Sequence, residues 1–103
     1  EDYKTAYSII SKKYKYFKKI NDLPYYCESL IIKSEIERHL HNFKEAEKSI
    51  DEAIKVAETL NSDTLANTAV IEKYIIYLHK DNCPDSTAKL KLLLQFHLFS
   101  FWV

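Results

Sequence analysis

The sequence contains no glycine and only two prolines, Pro24 and Pro84. Hairpin turns and bulges in antiparallel sheets rely on glycine for backbone angles that other residues resist. Its absence therefore argues for an all-helical chain. Phosphate-cradling loops and dinucleotide fingerprints are also built on glycine, so both are excluded. Neither sign of charge is in excess: fifteen basic residues face fifteen acidic ones. Such a balance gives no general attraction to nucleic acid. Cys27 and Cys83 stand far apart without paired spacing, and nothing resembles a signal peptide, so a cytoplasmic location is the default expectation. No nucleophile–base pair or paired-carboxylate motif is present; the expectation is a chain that is not an enzyme and needs no cofactor.

What the chain does have is helical periodicity. Residues 43–60 repeat apolar side chains as Phe43, Ala46, Ile50, Ala53, Ile54, Ala57 and Leu60, with charges at most other positions. The alanines in that stripe allow another helix backbone to come close. The spacing predicts helices over 2–20, 25–41, 43–60 and 64–79, and a fifth from Pro84 onward. Both prolines suit the first turn of a helix. Breaks are expected at residues 21–24, at His41 and Asn42, at 61–63 with Ser62 or Asp63 as N-cap, and at 80–83.

The breaks repeat. Asn21 and Asn61 are forty residues apart, as are Asn42 and Asn82. The same shift aligns Tyr3 with Phe43, Ala6 with Ala46, Ile10 with Ile50, Leu30 with Val70, Ile36 with Ile76 and His39 with His79. These matches fall on expected core positions and turns, which is how an α-solenoid of helix pairs is written in sequence. The chain divides as residues 1–22, helix B of a first repeat; 23–61, a full A–B pair; and 62–103, a second pair. Because it starts at Glu1 on a B helix, a fragment of something longer is expected.

The central pair resembles a tetratricopeptide repeat. That family places a small residue in mid helix A, an aromatic at the start of helix B, and two alanines seven apart within B. Here these are Ser34, Phe43, Ala46 and Ala53. Lys33 and Glu37 stand where the family is usually apolar, and His41 replaces the usual turn glycine. The forty-residue period is longer than the family norm. In this it is similar to the peptide-pheromone receptors of Gram-positive bacteria, the Rap phosphatases and the PlcR- and NprR-type regulators. A lysine-, isoleucine-, tyrosine- and asparagine-rich composition fits that source, although no helix-turn-helix is present. The resemblance implies a right-handed solenoid that binds protein or peptide as the sensing part of a bacterial regulator.

It also implies where a ligand would lie, on inward positions of the A helices. These are Glu28, Ile31, Glu35 and Arg38 on one helix, and Thr68, Ile71 and Ile75 on the next, with Asn67 able to bond a peptide backbone. An apolar floor with a few polar anchors suits an extended peptide or a helix. The carboxylate clamp of chaperone-binding relatives is absent, and Glu28 and Glu35 favour a basic or amine-bearing ligand. The plainer alternative is a solvated face with ordinary repeat packing.

Three further features compete with plainer explanations. His39 and His79 are repeat equivalents, expected about 20 Å apart from helix spacings of about 8–10 Å, so no metal site is anticipated. Lysines interleave with aromatics over residues 12–19, a pattern that can hold nucleic acid. Tyr14 and Phe17 fall on the packed stripe, however, which makes a solvated basic face the simpler reading. Finally, residues 90–103 read LKLLLQFHLFSFWV, ten of fourteen apolar. That is too short to span a bilayer, which takes about 20 residues. Burial against a second copy through Phe96, Phe99, Phe101 and Trp102 is the favoured expectation, since such a patch would otherwise aggregate. A homodimer would follow; a structural self-association module is one alternative function, and a fragment of a DNA-binding transcriptional regulator lacking its helix-turn-helix is the other.

Overall fold

A computed structural model of the chain describes residues 2–81. They form four α-helices: α1 (Tyr3–Lys19), α2 (Leu23–His39), α3 (Phe43–Thr59) and α4 (Asp63–Asp81). No strand occurs among the described residues. The expected helix from Pro84 lies outside them. So do the tail residues Phe96, Phe99, Phe101 and Trp102, on which the self-association expectation falls. α2 starts two residues earlier than the spacing predicts, because Asp22 caps it and Pro24 is tolerated in its first turn. α4 keeps Lys80 and Asp81 helical, where a break was expected.

Helix starts at Tyr3, Leu23, Phe43 and Asp63 are twenty residues apart, so the forty-residue period is two equal modules. The three turns between them are built alike. Asn21, His41 and Asn61 adopt left-handed backbone at φ 59°, 62° and 54°. Glycine is the usual occupant of this position, and asparagine is the residue that most often substitutes for it. In each turn the next N–H reaches back to a carbonyl five residues earlier. Asp22 bonds Phe17 at 2.9 Å, Asn42 bonds Glu37 at 2.8 Å, and Ser62 bonds Ala57 at 3.1 Å. The residue that closes one helix also opens the next. Asp22 accepts from the Tyr25 N–H at 3.4 Å, and Ser62 from the Leu65 N–H at 3.2 Å. Asn42 makes no such side-chain bond. A two-residue reversal leaves little choice but an antiparallel neighbour.

α2 is the centre. It packs antiparallel between α1 and α3, while α4 returns along α3 and lies beside α2. α1 makes no close backbone approach to α3 or α4 within the described residues. The α2–α3 contact is the tightest in kind. Ser34 Oγ donates to the Ala46 carbonyl at 2.9 Å and Cys27 Sγ to the Ala53 carbonyl at 3.3 Å. A short side chain can reach its neighbour's main chain only where no bulky group intervenes, and Ala46 and Ala53 are fully buried. Around this seam lie Tyr26, Leu30, Ile50, Ala57, Ala69 and Ile76. Ile50 and Ile76 are completely enclosed, each stabilising the fold by about 1.5–3 kcal/mol. Burial pushes the Cys27 thiol pKa up, with the Glu28 charge adding to it.

The charges at Lys33 and Glu37 are accommodated inside the bundle rather than turned outward. Glu37 is fully buried. Its Oε1 accepts from Ser49 Oγ at 2.7 Å, and its Oε2 from Lys33 Nζ at 2.8 Å and Tyr7 Oη at 3.3 Å. Lys33 Nζ also donates to Ser49 Oγ at 3.0 Å and lies over the rings of Tyr7 and Tyr14. Burial works against the ammonium, but the Glu37 hydrogen bond and charge outweigh it and raise the Lys33 pKa. No helix of the described residues is long and apolar enough to cross a membrane.

Candidate functional site

α2 is covered on three sides by α1, α3 and α4, so one strip of it remains for solvent. That strip carries Tyr25, Glu28, Ile32, Glu35 and His39, spaced three or four residues apart on a single ridge. Tyr25 is 55% and Ile32 46% exposed. Neither is among the eight expected positions, although the 25–28–32–35 spacing places them on one helix face. Glu28 and Glu35 are exposed, and Ile31 is half-buried beside the ridge.

On α4, Asn67 and Thr68 are exposed, while Ile71 and Ile75 are half-buried. The Thr68 hydroxyl donates to the Thr64 carbonyl within its own helix at 2.8 Å. Of the eight expected positions, four polar side chains are exposed, three isoleucines are half-buried and Arg38 is buried.

Arg38 is buried and occupied. Its Nε donates to Glu72 Oε2 at 2.8 Å, and its Nη2 to Glu72 Oε1 at 3.4 Å. Nη1 lies 3.3 Å from His79 Nδ1. Since a guanidinium can only donate, that ring nitrogen is the acceptor and the proton sits on Nε2. Glu35 is 4.0 Å from Arg38 with its side chain half-exposed, so it remains open to solvent. Arg38 therefore joins α2 to α4 and holds the two helices in register.

The same contact corrects the expected separation of the histidines. His79 lies against Arg38, within electrostatic reach of His39 and His41. Repeat-equivalent helices here pack directly, with no intervening layer to hold them about 20 Å apart. Burial lowers the His79 pKa, and the positive charge of Arg38, then His39 and His41, lowers it further. Glu72 moves the other way: burial raises its pKa, although Arg38 counters part of that. His39 stacks on Tyr3 at a ring separation of 4.5 Å. No group of three or more His, Cys, Asp or Glu among the described residues is arranged to hold a metal ion.

On α1, Tyr14 lies 6.5 Å from Tyr26, and Phe17 lies 5.3 Å from Tyr25. Those aromatics are engaged with α2 rather than presented beside the lysines for base stacking. Set against family models, curated proteins and solved structures, the chain matches none.

Proposed function

We propose that the chain is a non-enzymatic protein- or peptide-binding module of tetratricopeptide-like helical hairpins, and that its ligand is basic. The observation that carries this reading is the α2 ridge. Exposed apolar residues Tyr25 and Ile32 alternate there with the carboxylates Glu28 and Glu35. An apolar surface supplies affinity, and carboxylates on either side of it select lysine or arginine side chains. Beside α2, α4 carries the half-buried Ile71 and Ile75 and the exposed Asn67, whose amide can pair with a peptide backbone.

Support for the repeat architecture comes from the equal modules, the like-built turns and the small-residue seam of Ser34, Ala46 and Ala53. Titration with fluorescent peptides of opposite charge tests the ligand class. A lysine-containing apolar peptide should bind, and its acidic counterpart should not. Combining Glu28→Lys with Glu35→Lys should weaken that binding about tenfold or more, from two reversed charges. Indifference of the binding to this double substitution would sink the assignment.

A further inference from the structure

α1 and α3 occupy the same place in successive forty-residue units, both seventeen residues long. They present two corresponding faces. One face of α3 meets α4, through Asp51 to Lys73 and Glu47 to Lys80. Its counterpart on α1, with Tyr7, Tyr14 and Phe17, meets α2. The other face of α3 meets α2, through Ala46, Ser49 and Ala53. Ser49 is 5% and Val56 8% exposed there.

Forty residues earlier, the positions of Ser49 and Val56 are Ile9 and Tyr16, and Leu60 becomes Ile20. These three are 51%, 58% and 49% exposed. The face that α3 buries under a helix is thus apolar and open on α1. Its flanking charges are of one sign. Where α3 has Glu52 and Ala53, α1 has Lys12 and Lys13, both exposed. α1 carries six lysines and no acidic residue.

We propose that the Ile9–Tyr16–Ile20 face of α1 docks an acidic amphipathic helix, antiparallel to α1, in the position that α2 takes on α3. The precedent inside the molecule selects a helix: an equivalent face at an equivalent place is covered by one. Antiparallel orientation follows from that precedent, because α2 runs antiparallel to α3. Acidity follows from Lys12 and Lys13, whose ammonium groups flank the apolar stripe and need carboxylates opposite. Lys13 also bars the close approach seen at Ala53, so the docked helix meets α1 through longer side chains. This surface is on a different helix from the ridge of Tyr25 and Ile32, and the inference does not rest on the basic-ligand reading.

The test uses the full chain and two designed helical peptides as long as α1, with leucines at heptad positions. One places glutamates beside the leucines, the other lysines. Anisotropy titration should show binding of the glutamate peptide, with amide shifts in the nuclear magnetic resonance spectrum centred on Ile9, Tyr16 and Ile20. Tyr16→Glu, and separately Lys12→Glu with Lys13→Glu, should weaken it about tenfold or more. These side chains are at the surface, so circular dichroism should report unchanged helix content. Ile32→Ala, on the α2 ridge, should leave the binding intact, which separates this surface from that ridge. Equal binding of the lysine peptide, or shifts centred on α2 and α4, would overturn the proposal. So would phosphatidylserine vesicles that bind through Tyr16 when the glutamate peptide does not, or self-association of the chain abolished by Tyr16→Glu.

Discussion

Glu37 and Arg38 are consecutive residues on α2, both buried, and their ion pairs run in different directions. Glu37 is closed in. Lys33, Ser49 and Tyr7 donate to its two oxygens, so α1, α2 and α3 all contribute to one small network. Arg38 reaches across to α4, where Glu72 and His79 receive it near the edge of the bundle. The first pair helps specify how three helices meet. The second joins those three to the fourth through groups whose ionisation burial has shifted. One helix therefore carries a sealed charge pair and a titratable one on successive residues.

The strongest way to break the sealed network is Glu37→Ala. It leaves the Lys33 ammonium in a buried site without its counter-charge, and such truncations cost about 3–5 kcal/mol. Urea unfolding should show that loss as a lowered midpoint. Replacing both members, Lys33→Met with Glu37→Leu, should recover most of it, because a buried pair is worth little more than apolar groups of similar volume. Failure of the double variant to recover would mean that Ser49 and Tyr7, left without their partner, matter more than the pair.

Glu72→Ala is the corresponding cut in the second network, with an expected loss of about 1–3 kcal/mol for an Arg38 that keeps some solvent and the neighbouring Glu35. This joint should also respond to pH. His79 is held below its ordinary value of 6.5, so its contribution is present above that pH and fades as pH falls through the folded-state value. Protonation also removes the acceptor that Arg38 uses and sets two cations together. Glu72, raised above 4.5, has the opposite sign. Its contribution is full below that pH and fades as pH rises through the folded-state value, so acid partly offsets the His79 loss. Unfolding midpoints should therefore hold above pH 6.5 and decline modestly as pH falls below it. His79→Gln keeps an acceptor without a titrating ring and should flatten that decline. An unchanged slope would remove His79 from the explanation.

Much of the framework was legible because short-range physics sets it. Asn21 and Asn61 advertise left-handed turn positions, and Ser34, Ala46 and Ala53 mark where two helices come close. His41 is placed in its turn by the break with Asn42 and by standing where a repeat of this kind has glycine, and its left-handed backbone agrees. The charged interior was not legible. Lys33 and Glu37 stand at positions that a repeat of this kind makes apolar, but nothing in the sequence shows that Tyr7 and Ser49 approach from two other helices to satisfy them. Arg38 looked open for a ligand for the same reason: Glu72, thirty-four residues on, is brought to it by the packing of α4. Ile32 and Tyr25 carry no sequence mark of exposure, because apolar residues in a helix are ordinarily core, whereas here three neighbours already cover the rest of α2.

The smallest expected effect gives the sharpest comparison. Lys73 and Asp51 join α4 to α3 at 2.8 Å, the same length as Lys33–Glu37 and as Arg38–Glu72. Distance is thus held constant across the three pairs, and burial is what differs. The Lys73 and Asp51 side chains are 30% and 51% exposed, against 11% and 0% for Lys33 and Glu37. The hydrogen bond to Asp51 raises the Lys73 pKa in spite of partial burial. It nevertheless competes with water and salt, and Lys73→Ala should cost no more than about 1 kcal/mol. That small loss should disappear in about 1 M salt, where screening acts within about 3 Å, while the Glu37→Ala loss persists. If Lys73→Ala proved as damaging as Glu72→Ala, helix-to-helix geometry rather than burial would be setting the strength of these pairs.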